Sequence, residues 1–238
     1  MMTRRAFLSL AMVLAFSARA SAKPPYDATE SYVERQVEGW RVRVNKRLLA
    51  PAHQELRDRV LRLLDDHLYR ITRVVPATAL TKLRKIPIWV ELAEPHHPCM
   101  CYHPSPDWLR AHGMNPDKAG AVEIANCQNF LGWTHEQPWM VLHELAHGYH
   151  DQVLGFDNAE VHACYEHARQ AKLYDSVLHW DGHKVRAYAL TNDREYFAEA
   201  TEAYFGTNDF YPFVRAELRT HDPQAYALLE KLWGVGKK

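Results

Sequence analysis

Two histidines four residues apart, with a glutamate directly after the first, form His143-Glu144-Leu145-Ala146-His147, and the chemistry these residue types can do sets what the rest of the chain must position. From Trp139 to Leu154 the segment WMVLHELAHGYHDQVL holds no proline and one glycine, with apolar residues at 139, 142, 145, 146, 149 and 153, close to the helical period. Pro138 suits a first turn, where a missing N–H costs nothing. At about 3.6 residues per turn, His143 and His147 stack on one helix face and can reach a single ion. Glu144 falls about 100° round the helix, beside that ion, where it can act as base for a zinc-bound water.

With 15 histidines in 238 residues, a chance H-E-x-x-H is roughly a one-in-twenty event, so the pentapeptide needs support from its surroundings. Placement supplies it. Two imidazoles and a carboxylate in an otherwise apolar helix are costly to bury unless something such as a cation satisfies them.

A catalytic zinc site takes three protein ligands and keeps one position open. The H-E-x-x-H-x-x-G-x-x-H class needs glycine at position 150 and histidine at 153; this chain has His150 and Val153, which excludes it. His150 shares the histidine face but sits about 10 Å along the axis from His143, so it reads as a neighbour. Downstream, Glu195, Glu199 and Glu202 recur at i, i+4 and i+7 in a strongly helical stretch. By themselves they suit a solvated acidic face opposite Phe197, Ala200 and Tyr204. With two histidines in need of a third donor, Glu195 is the natural choice.

Here the sequence resembles the zinc peptidase domain of the anthrax toxin lethal factor type, within the gluzincins, whose third ligand is glutamate. The resemblance rests on HELAH at 143–147 and on Y-x-x-T-N-x-x-E-Y-F-A-E at 188–199, and it covers roughly residues 121–205. It implies a Zn2+ cofactor held by His143, His147 and Glu195, Glu144 as general base, and Tyr188 as the hydroxyl that stabilises the tetrahedral oxyanion. It also implies that Glu199 steadies a ligand imidazole from behind. The strand before the active-site helix would border the cleft and take substrate as an added strand. A peptide or protein is the implied substrate.

The elements that must carry these residues follow from pattern. Residues 1–22 read as an export signal: Arg4 and Arg5, an apolar run from Ala6 to Phe16, and Ala20-Ser21-Ala22 as cleavage site. The start also resembles a twin-arginine signal, and a general secretory signal fits the same residues. The mature chain, 23–238, is expected as one exported, periplasmic or secreted domain without a membrane span, and as a monomer. Removing Arg4, Arg5 and Arg19 turns a formal net charge of zero mildly acidic, so no nucleic-acid partner is expected.

Residues 23–35 are polar and read as an extended arm, 38–45 alternate as a half-buried strand, and 51–73 form a long amphipathic helix. Residues 86–92 are the clearest strand, 120–131 a short strand leading to the active-site helix, and 158–172 a helix capped by Asn158 or Asp157. Residues 174–190 suit a hairpin with Asp181-Gly182 as a two-residue turn, and 211–233 a terminal helical segment. The expected fold is α+β: a zincin-like domain with a small mixed sheet, the H-E-x-x-H helix and a second helix carrying Glu195.

Cys99, Cys101, Cys127 and Cys164 are expected to form disulfides, as cysteines of exported chains commonly do, with Cys99 and Cys101 too close in sequence to pair easily with each other. The alternative is a second metal site in the loop that holds His96, His97, Cys99, Cys101 and His103. Two other functions stand beside the peptidase: a zinc-containing binding protein without turnover, and an amidase acting on a non-peptide or cell-wall amide.

Overall fold

A computed structural model describes residues 25–236; the expected signal segment lies outside them. The first strands are β1 (Tyr32–Val37) and β2 (Trp40–Asn45), joined by Glu38-Gly39, both at positive φ. The expected arm therefore becomes ordered strand from Tyr32 onward. Its residues look polar because β1 is an edge strand with most of its side chains exposed, so its apolar signal is weak. Two helices follow, α1 (Gln54–Val74) and α2 (Ala77–Leu83). Helix α1 buries Val60, Leu64, Leu68 and Ile71, the stripe its spacing predicts.

Next come β3 (Ile88–Val90), β4 (Met100–His103), α3 (Pro106–Ala111), β5 (Ala121–Ile124), α4 (Cys127–Trp133) and α5 (Met140–Tyr149). Helix α5 carries both histidines and runs on into a π-turn at His150–Leu154. The five strands form one mixed sheet in the order β1-β2-β3-β5-β4. Its centre is parallel and its outer pairs, β1 with β2 and β4 with β5, are antiparallel. The strand that precedes the active-site helix, β5, is thus interior. The edge on that side of the sheet belongs to β4, because the chain visits it first and then inserts β5 between β4 and β3.

The remaining elements are α6 (Ala159–Gln170), the short pair β6 (Val177–Leu178) and β7 (Lys184–Val185), α7 (Asp193–Phe205), α8 (Arg215–His221) and α9 (Pro223–Trp233). Asn158 caps α6, accepting from the N–H groups of Glu160 and Val161. The hairpin exists, but its turn is wider than two residues: His179 N–H donates to His183 C=O at 2.8 Å, leaving Trp180-Asp181-Gly182 as the loop.

Two glycines fix where α5 sits. A Cβ on Gly148 would lie 2.7 Å from Ile86 Cδ1 and 3.1 Å from the Tyr102 ring, so any larger residue there has to push these side chains aside for α5 to keep its place. A Cβ on Gly206, just after α7, would fall within the Trp139 ring, which stands at the N-terminal end of α5. The two helices are packed against each other at their ends, and the buried core runs continuously from Trp40 to Trp233.

Candidate metal centre

Helix α5 presents His143 and His147 from successive turns, and their rings meet edge to face with centroids 4.8 Å apart. Helix α7 crosses in front of them. Its start is fixed by Asn192, whose side chain accepts from the N–H groups of Arg194 and Glu195, so Glu195 leaves the first turn at a set angle. Both His143 Nε2 and His147 Nε2 then lie 3.1 Å from Glu195 Oε2.

Behind His143, its Nδ1 lies 2.7 Å from Glu202 Oε1 and 3.7 Å from Glu199 Oε1. The carboxylate that fixes this ring is therefore Glu202, and not Glu199 as expected. Glu199 turns instead to Asn208, whose Nδ2 donates to it at 3.1 Å. Both residues are on the same helix face, and the spacing had marked Glu202 as well; a single helical turn decides which one reaches the ring.

The protons at this point can be counted. With Nδ1–H donating to Glu202, the Nε2 of His143 turns a lone pair towards the Glu195 carboxylate, and two acceptors at 3.1 Å repel unless a positive charge lies between them. Burial opposes a charged His143, but hydrogen bonds to Glu195 and Glu202 outweigh it and hold the imidazole well above its usual range. Burial likewise works against ionised Glu195, and bonds from His143 and His147 overcome it, holding that carboxyl well below the usual carboxylate range. Two imidazole nitrogens and one carboxylate oxygen, mutually close and facing a cleft, are a donor set that zinc takes with one position left open.

The cleft has a volume of about 400 Å³ and is lined among others by His143, Glu144, His147, Tyr188 and Glu195. Glu199, Glu202 and Asp209 lie at its inner end, where burial raises all three carboxyls above their usual range. Among family models, the one for the anthrax toxin lethal factor, N- and C-terminal domain, matches residues 60–232, a span that includes both helices of this centre.

The chain belongs to this anthrax toxin lethal factor family. No curated protein and no solved structure matches it. As a member of the lethal factor family the chain is a metalloprotease-related domain with an α+β fold, and the family suggests a metal cofactor.

Around the centre of this lethal factor family chain, other residues take the following places. Phe130 is core, fully buried beside His67, whereas Trp133 is partly exposed and lines the cleft. The wall of the cleft next to the centre is the edge strand β4, through Met100, Cys101 and Tyr102, in place of β5. His150 is fully buried between Phe156 and Phe197, with neither ring nitrogen bonded. Burial pushes it down to about 4, so it is a neutral neighbour of the centre.

The expected disulfides are absent: all four thiols are free. Three of them face separate partners, Cys127 Sγ the Glu91 carbonyl at 2.8 Å, Cys164 Sγ the Tyr196 hydroxyl at 3.3 Å, and Cys101 Sγ the His103 ring at 3.4 Å. Among the described residues no helix is long and apolar enough to cross a membrane.

Proposed function

We propose that this chain is an exported zinc peptidase that hydrolyses peptide bonds, with His143, His147 and Glu195 holding the ion. The observation that carries the reading is the meeting of three donor atoms from α5 and α7 beside Glu144 in one open cleft. Bound zinc supplies two things there: it polarises the scissile carbonyl and lowers the pKa of water towards about 7.

The chain's own residues do the rest. The Glu144 carboxylate takes a proton from the attacking water and passes it to the leaving amine. Tyr188 lies across the cleft with its ring centroid 6.4 Å from that of His143. Burial and the nearby Glu195 carboxylate raise its phenol, so it stays protonated and donates a hydrogen bond where negative charge develops on the carbonyl oxygen. Glu202 holds the His143 proton on Nδ1, which keeps Nε2 turned towards the ion site. Substrate enters extended along β4, whose outer side offers unpaired backbone groups next to the centre. Export is proposed from residues 1–22, with their paired arginines, apolar run and small-residue cleavage site.

The test is metal content together with chelator-sensitive cleavage of casein, for the mature chain, Glu144→Gln and Glu195→Ala. One ion bound in the H-E-x-x-H centre is expected, retained without turnover in Glu144→Gln and weakened together with turnover in Glu195→Ala. Full activity in Glu144→Gln overturns the assignment.

A further inference from the structure

On the edge strand β4, in the wall of the cleft, a second group of metal donors comes together, made of residues other than those of the His143 centre. Cys101 and His103 are two residues apart on one strand and so point to the same face of the sheet. Glu123 of β5 pairs directly opposite Cys101 in the ladder. His97 comes from the loop that enters β4, and its ring lies 5.4 Å from that of His103. One donor atom from each of His97, Cys101 and His103 lies within 4.8 Å of the others.

Three features set this group apart from a chance cluster. His103 Nε2 is 3.4 Å from Cys101 Sγ and 2.6 Å from Glu123 Oε2, so sulphur, nitrogen and oxygen donors share one point. Both His103 and Glu123 are almost fully buried, and the second Glu123 oxygen is held by Lys118, which leaves the carboxylate little freedom to turn away. His97 Nε2 is buried with no hydrogen-bond partner, which is unfavourable unless something else occupies it.

We infer that His97, Cys101 and His103, backed by Glu123, form a second zinc site that ties the His97 loop to the edge strand of the cleft. The donor set decides the ion: a thiol and two imidazoles select zinc over magnesium or calcium, which take oxygen donors. Closure decides the role. With His103 and Glu123 walled in, the site suits a structural ion. Its consequence for the cleft is mechanical, because Cys101 also lines the cleft wall, so the bound ion fixes the strand along which an extended chain would lie.

The inference does not depend on the His143 centre, and cobalt(II) separates the two. That centre contains no sulphur, so a thiolate-to-cobalt charge-transfer band in the near ultraviolet reports the Cys101 site alone. Metal-stripped protein titrated anaerobically with cobalt(II) should show the band. Cys101→Ser should lose the band and one bound ion; His97→Ala should weaken the band while the chain stays folded by circular dichroism. His147→Ala should keep the band. One ion per chain with the band present supports the inference and removes the His143 centre from the count. No band in the wild-type protein, or a band unchanged in Cys101→Ser, overturns it.

Discussion

His143 Nδ1 and Glu202 Oε1 lie 2.7 Å apart, a contact between the middle of α5 and the third turn of α7 that sets which ring nitrogen faces the cleft. A helix pair bound together at this point carries the orientation of the centre in one buried hydrogen bond. Glu202→Gln should therefore weaken metal binding by about 10- to 100-fold, the usual cost of losing such a partner. Glu199→Gln, which changes the more distant carboxylate, should cost less. Competition against a chromogenic chelator measures both, and equal losses would show that the two carboxylates act as one.

Tyr188→Phe removes only a hydroxyl from a half-exposed ring at the cleft. Loss of one donor to a developing oxyanion typically lowers kcat by about 10²–10³. Metal content and KM should change little. A variant with normal kcat would take Tyr188 out of the chemistry.

Lys118 is 2 % exposed and its ammonium contacts Glu91 at 2.7 Å and also Glu123. Glu91 is bound further by Asn45 and Tyr32. Lys118→Met removes the cation that two buried carboxylates share, leaving Glu91 only the more distant Arg47 at 3.6 Å, and breaking a buried pair in this way costs about 3–5 kcal/mol. Urea unfolding at neutral pH should show the loss. Lys118→Met combined with Glu91→Gln and Glu123→Gln should recover part of it.

His67 is buried in α1 against Phe130, and burial pushes its pKa down to about 4. Unfolded, a histidine titrates near 6.5. Between those values the unfolded chain binds a proton that the folded chain does not, so this group's contribution is complete above about 6.5 and is lost as pH falls towards 4. His67→Leu should flatten the fall in stability over that window by roughly one proton's worth, seen as a shallower dependence of the unfolding midpoint on pH. An unchanged slope would mean that His67 titrates normally.

A methyl group on Gly206 would overlap the Trp139 ring, which is also held by Arg70 with its guanidinium carbon 4.5 Å from the ring centroid. Gly206→Ala should cost about 1–3 kcal/mol through overpacking. Because Trp139 stands at the N-terminal end of α5, metal affinity should fall in the same variant. Thermal melts with and without zinc would measure both effects, and an undisturbed melt would show that Trp139 simply rotates aside.

What could be read along the chain was what depends on near neighbours. The helical period places His143 and His147 on one face of α5, and the i, i+4, i+7 spacing places Glu195, Glu199 and Glu202 on one face of α7. The apolar stripe of α1, the alternation of β2 and the Asn158 cap are equally local. In each case the conformation of a few consecutive residues is enough.

The tertiary structure alone decided the matters that depend on distance between elements. Strand order put β4, and not β5, on the edge beside the cleft, because pairing partners come from far apart in the chain. The crossing of α5 and α7 chose Glu202 over Glu199 for His143 Nδ1, a choice of about one ångström that helical phase does not contain. The cysteines show the same limit: composition favours bridges, while the folded chain leaves all four thiols free, turns those of Cys127 and Cys164 to separate partners and sets Cys101 beside His103. Residue types and spacing determine which side chains share a face; only packing determines which atoms on facing surfaces come within bonding distance, because that depends on where whole helices and strands come to rest.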